Sequence, residues 1–162
     1  MVEEKKKDEK KFEDVYKTLQ EKHKLPSFTE LDKVVEISDV SDVKNPLRAI
    51  RKKIEEKLEG ALTQLHAILQ PETKLTDLQE CKVFNEKEKD ELIELFKSMM
   101  ITLRTSHLLT LQPDEKKSAD FIRDYYQNWT KTTQKQLVDV CKKLIVAWQE
   151  ETKEIETRSY LG

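Results

Sequence analysis

Two glycines, four prolines and two cysteines in 162 residues leave this chain short of the residues that make turns, bulges and covalent staples. Sandwiches and barrels need frequent tight turns, so an all-β architecture is excluded and long helices are favoured. Cys81 and Cys141 stand alone, without Cys-x-x-Cys or Cys/His spacing, which argues against a disulfide scaffold or a zinc site. No apolar run approaches the ~18 residues that a bilayer-spanning helix requires. The opening Met-Val-Glu-Glu-Lys-Lys-Lys has no apolar stretch that could serve as a secretory leader. The expectation is a cytoplasmic protein with no membrane segment.

An excess of one sign of charge is missing too. The 30 basic and 32 acidic residues nearly cancel, so no global field draws the protein to nucleic acid or anionic lipid. Charge of both signs is plentiful: 38% of residues are charged, against about 25% in an ordinary domain. Leu, Ile, Val and Phe still exceed the roughly 20% below which chains stay disordered. A single folded domain is expected, burying roughly 70% of its unfolded surface.

Apolar periodicity divides the chain into helices. Residues 1–9 are almost wholly charged and read as a frayed start. Phe12, Val15, Tyr16 and Leu19 form one stripe, placing a helix over 10–24 that ends at Leu25-Pro26. Ser27 and Glu30 have the spacing of a capping box ahead of a short helix with Phe28, Leu31, Val34 and Val35. Residues 36–45 read as a loop. Asn45-Pro46 then gives an N-cap and a proline at the first position of a helix running to Leu69. Gly60 sits inside that helix at a cost of ~1 kcal/mol, a cost that close approach of a neighbouring helix or a kink would explain. Residues 72–84 are short and mixed, with Leu75, Leu78, Val83 and Phe84 expected to plug one end of a bundle.

The strongest segment is 86–111, opened by Asn85 with Glu88 as a second capping box and closed by Gln112-Pro113. Leu92, Ile93, Phe96, Met99, Met100, Leu103, His107 and Leu111 share one broad face at 100° per residue. Leu95, Ile101, Leu108 and Leu109 lie outside it, so this helix is expected at the centre of the bundle, with neighbours on more than one side. Phe121, Ile122, Tyr125 and Trp129 mark a helix at 114–128, followed by a turn at 128–133 and a last long helix over 132–156. The fold class expected is all-α: a single antiparallel bundle of three long helices plus two to four shorter ones over 10–157, with 158–162 frayed.

Chemistry-bearing patterns are few. No glycine-rich phosphate loop, His-Glu-x-x-His or Gly-x-Ser-x-Gly elbow is present, so no catalytic residue, cofactor or metal site is assigned. Arg48, Arg51, Lys52 and Lys53 crowd the first turns of the helix after Pro46, where cations oppose the helix dipole. They are the candidate contact for an anion or a nucleic-acid backbone. The plainer reading is compensation by Glu30, Asp32, Glu36, Asp39 and Asp42 just before them. Arg51 and His107 also fall on apolar faces, as does Glu151 in the last helix. With Arg104 they define a candidate buried polar cluster: a register-fixing device on the plain reading, a ligand or enzyme site on the functional one. Tyr125, Tyr126, Trp129 and Trp148 offer stacking surfaces, but three of them sit on core stripes.

Leu25-Pro26-Ser27-Phe28-x-Glu30-Leu31, then Leu47-Arg48-x-Ile50-Arg51-Lys52-Lys53-Ile54, and Asp120-Phe121-Ile122-Arg123 with Trp129 and Trp148 together resemble small uncharacterised helical proteins of archaeal genomes. The resemblance implies a cytoplasmic helical protein and brings no activity and no site residues. The function expected is a non-catalytic protein-interaction or scaffolding module, its partner another protein or a second copy of itself. Nucleic-acid binding through 48–53 and a small-ligand or enzyme site at the polar cluster are the alternatives.

Overall fold

A computed structural model describes the backbone of residues 2–159 and the side chains of residues 12–150. Among these residues it is all-α, with no strand. The helices are α1 (Val2–His23), α2 (Phe28–Val35), α3 (Pro46–Leu69), α4 (Leu75–Lys82), α5 (Glu86–Leu111), α6 (Glu115–Asn128) and α7 (Gln134–Ser159). The backbone of α1 is helical from Val2, ahead of the expected start at residue 10, and a short 3₁₀ turn, Ile37–Asp39, lies in the loop before α3. Of the expected fray at 158–162, Arg158 and Ser159 belong to α7, and 160–162 lie outside the described residues.

Both capping boxes form. Ser27 Oγ accepts from the Glu30 amide while the Ser27 amide donates to the Glu30 carboxylate, and Asn85 and Glu88 repeat the exchange at the head of α5. Each satisfies two amides that an open helix start leaves unpaired. The C-terminal ends are handled differently, because no glycine is there to take the left-handed cap. Lys24 (φ 54°) and Glu36 (φ 51°) adopt it instead, at a steric cost that glycine avoids.

Cationic side chains from neighbouring helices then reach the free carbonyls. Arg123 of α6 donates to His23 O at the end of α1, 3.1 Å away. Lys57 of α3 donates to Val34 O of α2, with its ammonium 5.0 Å from the centre of the Trp129 ring. Such contacts satisfy orphan acceptors and place positive charge at the negative end of each helix.

The centre of the bundle belongs to α3, not to α5 as expected: α3 packs against α1, α2, α4, α5 and α6. The α5 helix runs antiparallel to it, with Arg51 beside Ser106 at one end and His66 beside Phe96 further along. The buried face of α5 is Leu92, Leu95, Met99, Leu103, Ser106 and Leu109. It is rotated from the expected stripe, because Ser106 turns inward to meet Arg51, and Leu111 at the far side is 80% exposed. At the plugged end, Phe84 is buried and Val83 half-buried, whereas Leu75, at 70% exposed, and Leu78 face outward.

No turn breaks the chain at 128–133. The helix continues through a wide π turn, Trp129–Thr133, in which the Gln134 amide reaches back to Trp129 O. Thr130 Oγ1 donates to Tyr126 O at 2.8 Å and also approaches Gln127 O. Hydroxyl back-bonding of this kind competes with the main-chain ladder and loosens it. The threonines that suggested a turn therefore widen a helix without ending it. In consequence α6 and α7 form one continuous rod, parallel to α3 and antiparallel to α5, with Gln64 meeting Cys141 and Glu88 meeting Lys143.

Gly60 has nothing within 4 Å of where a Cβ would stand, so close helix approach is not its explanation. Glycine is therefore present where a side chain would fit and absent where the backbone turns left-handed. Gly60→Ala and Lys24→Gly are each expected to raise stability by about 0.5–1 kcal/mol, read as a higher urea midpoint at unchanged slope. Glu88 and Glu115 both hold their carboxyls below the usual range. Donation by Lys143, then by the Asn85 amide, does this for Glu88, and donation by Lys22 and then His23 for Glu115. A depressed carboxyl adds stability above its unfolded pKa that is lost as pH falls through the folded one. Stability should therefore decline below about pH 5, and Glu88→Gln should make the acid limb of urea midpoints against pH less steep.

Candidate functional site

The helical phase of α3 places Arg51 on the same side as Leu47, Ile54 and Leu58, inside the seam with α5, where it is only 3% exposed. Its Nη1 donates to Ser106 O (2.6 Å), Ser106 Oγ (3.0 Å) and Thr110 Oγ1 (3.1 Å), and Nη2 donates to Leu109 O at 3.4 Å. Ser106 Oγ in turn donates to Glu55 Oε1 at 2.6 Å. Leu109 lies in the last turn of α5, where carbonyls lack helical partners. Arg51 is thus a third cross-helix cap, closing α5 from α3. Burial pulls its pKa below the usual arginine value, and nearby Glu55 opposes that pull. Among the described residues no carboxylate touches the guanidinium, and its Nε has no partner.

The polar cluster expected around Arg51 does not assemble. Arg104 is exposed and donates to Nδ1 of half-buried His107, 3.2 Å away. Neither meets Arg51, because the rotation that buries Ser106 carries both outward. The side chain of Glu151 lies outside the described residues.

The four cations at the start of α3 separate as well. Arg48 and Lys52 are exposed, Lys53 pairs with Glu56 at 3.6 Å, and Arg51 points inward. Arg48 and Lys52, one turn apart, share an exposed side, while the 100° step per residue turns Arg51 into the seam and Lys53 towards Glu56, so the four do not form one patch. Among the described residues no ion pair joins these cations to the acids of 30–42. Glu30 closes its capping box, Asp32 accepts from the Ser38 amide at 2.7 Å, and Asp42 accepts from the amides of Lys44 and Asn45. Of the stacking candidates, Tyr125 and Trp129 are core, and Trp148 Nε1 donates to Glu80 at 3.1 Å.

The most developed concave surface had no sequence motif to mark it. A groove of about 430 Å³ runs between α5 and α6, from Leu109 and Lys117 at one end to Ser98, Asn128 and Thr133 at the other. Leu58, Met99, Phe121, Tyr125 and Trp129 give it an apolar lining. Ile101, 69% exposed, and Leu108 stand on the α5 side, two turns apart. Asp120 and Asp124 stand one turn apart on the α6 side. Tyr125 is 5% exposed, and its hydroxyl meets no partner; burial raises its pKa above the usual tyrosine value. The π turn places Trp129 at the end of this lining, and π turns recur at functional sites. The available signal was Ile101 and Leu108 falling outside the main stripe, but Leu95 and Leu109 fell outside it too and are buried.

Fold and groove define an all-α bundle with an apolar cleft between two helices. The chain matches no protein-family model, no curated protein and no solved structure. Among the described residues no helix is long and apolar enough to cross a membrane, and no three His, Cys, Asp or Glu side chains gather as a metal site would require.

Arg51→Ala should destabilise the fold by about 3 kcal/mol, since it strands the acceptors at the end of α5 and the Glu55–Ser106 pair. Arg104→Ala should stay within about 0.5 kcal/mol, as surface changes usually do. Equal urea midpoints for the two variants would contradict this placement.

Proposed function

We propose that this protein is a non-catalytic protein-interaction module whose α5–α6 groove takes an amphipathic helix with a basic edge from a partner protein. One observation carries the reading: the groove joins an apolar lining to a rim that is uncharged along α5 and carries Asp120 and Asp124 along α6, with Lys117 at one end. Ser98 to Leu109 spans about 16 Å of helix, the length of three turns, which suits helix-in-groove recognition through residues at i, i+4 and i+7. Asp120 is already paired with Arg123 at 2.7 Å. Asp124 has no ion pair among the described residues, so a lysine or arginine on the incoming helix would meet an open carboxylate. The Tyr125 hydroxyl is a buried donor without an acceptor, an arrangement that costs stability unless a ligand supplies one.

The readings from other classes draw less support. Nucleic-acid binding through Arg48, Arg51, Lys52 and Lys53 needs all four on one exposed face; Arg48 and Lys52 share one, but Arg51 is buried and Lys53 pairs with Glu56. A ligand or enzyme site at Arg51, Arg104 and His107 needs them to converge, and they point apart. The resemblance to archaeal helical proteins adds no activity to weigh against these.

The test uses a 15-residue helical peptide with leucines at i, i+4 and i+7 and lysines along one flank, titrated against the full chain and followed by amide chemical shifts. Saturable shifts are expected along 98–109 and 117–133. Roughly tenfold weakening is expected in Ile101→Glu and in Asp124→Lys, a loss typical of contact residues. The same peptide with glutamates on its flank should bind more weakly than the lysine form. Tyr125→Phe should be as stable as the parent or more so, yet bind less well. Equal binding of both peptides, unmoved by the substitutions, would refute the reading. Concentration-dependent self-association without peptide binding would assign the groove to a second copy instead.

A further inference from the structure

The seam that holds the groove continues past Ser98 and Thr133. One turn further along each helix, Leu95 of α5 and Gln136 of α7 open a smaller cavity of about 190 Å³. Its floor is apolar, for Phe84, Leu92, Leu95 and Val140 are all buried. The phase of α5 keeps this cavity on the side that faces the groove: Glu91, Leu95, Ser98, Thr102 and Thr105 follow one another at three- and four-residue steps. The π turn carries α6 into α7 without a break, so the opposite wall is continuous too. Groove and cavity are two stretches of one furrow, which runs about 27 Å along α5 from Leu109 to Glu91.

Lys143 sets the register across the furrow. Its ammonium donates to the Glu88 carboxylate and lies 5.2 Å from the centre of the Phe84 ring. The two walls run antiparallel, so one turn further from that pair Glu91 and Asp139 come opposite each other. Both are exposed and both line the cavity, and neither has an ion pair among the described residues. The cation in this lining, Lys143, is already taken by Glu88. Like charges on facing walls repel, and a cation between them turns repulsion into attraction. An apolar floor beneath two acids suits lysine or arginine, whose stem packs on carbon while the charged head stays at the rim. Asp124 offers another open carboxylate about four turns away, or about 21 Å. Between the two places the polar lining is uncharged: Ser98, Thr102, Thr105, Asn128, Thr133 and Gln136.

We propose that the partner helix fills the whole furrow and carries two basic residues, one at Asp124 and a second, about fourteen positions away on the same flank, between Glu91 and Asp139. This inference rests on helix docking in the α5–α6 groove and adds the length and charge spacing of the partner. Fourteen residues make nearly four whole turns, which returns both cations to one side of the incoming helix. Apolar residues between them then face Leu95, Met99 and Trp129. A helix with one cation, or with two at another spacing, leaves one end of the furrow unmatched.

The experiment titrates three helical peptides against the full chain and follows amide shifts. The first is the 15-residue lysine form. The second extends it to 24 residues, with a further lysine fourteen positions from one on its flank, and the third has glutamate at that place. The long lysine form should bind at least tenfold more tightly than the short one, since a rigid helix links two contacts. Shifts at Glu91, Leu95, Gln136 and Val140 should appear with the long lysine form and not with the short one. The glutamate extension should bind no more tightly than the short peptide. Glu91→Lys and Asp139→Lys, both exposed changes, should each reduce the long form to the affinity of the short one and leave the short one unmoved. Equal affinity of long and short lysine forms, with shifts that stop at Ser98 and Thr133, would overturn the second contact and leave groove docking standing. Binding by neither form would overturn both. Self-association of the chain through 88–95 that the long form does not displace would assign this end to a second copy and overturn the inference.

Discussion

Burying the Arg51 guanidinium removes a cation from water at a cost of several kcal/mol, and only one relative placement of α3 and α5 offsets it. Nη1 has to find Ser106 and Thr110, and Nη2 has to find Leu109, all within one turn of the neighbouring helix. A slide of one turn, about 5.4 Å, would strand the charge and leave the last carbonyls of α5 open. Apolar surfaces tolerate sliding far better, because one leucine substitutes readily for another. The register of the two central helices is therefore held by a polar contact, and leucine packing fills in around it.

Much of the remaining architecture follows from that register and from the scarcity of glycine. Without glycine at the helix ends, C-terminal carbonyls cannot be closed cheaply by left-handed caps, and Arg51, Lys57 and Arg123 close them from adjacent helices. Each such contact ties two elements together: α3 to α5, α3 to α2, α6 to α1. Capping and tertiary packing are here the same interactions. The groove lies where these ties set the spacing, opening beside α5, whose phase Ser106 determines.

Helix existence and most helix boundaries were legible because they depend on local physics. The Ser27–Glu30 and Asn85–Glu88 boxes, Pro46 and the Leu25-Pro26 stop act over three or four residues, and the segments they bound are the segments observed. The π turn was missed because threonine competes for backbone carbonyls in a turn and in a widened helix alike. Facing was legible only in part. The phase of α5 was misread, since the apolar count favoured His107 and Leu111 on the inner face, whereas the hydrogen-bonding demand of Arg51 drew Ser106 inside. The same error joined Arg104 and His107 to a cluster they do not enter. Arg48, Arg51, Lys52 and Lys53 read as one patch because adjacency in a string hides a 100° rotation per residue, which leaves only Arg48 and Lys52 side by side on an exposed face.

The amino-acid sequence alone determined the all-α class, the helix starts and the absence of any glycine-rich or metal-binding motif, since each depends on residues close together along the chain. Only the tertiary structure decided which helix is central, which side of α5 is wet, and that Arg51 is buried against α5 with its Nε unpartnered. Those outcomes depend on contacts between positions more than fifty residues apart, such as Arg51 and Ser106. A buried polar group selects among such contacts by its need for partners, which hydrophobic periodicity does not record.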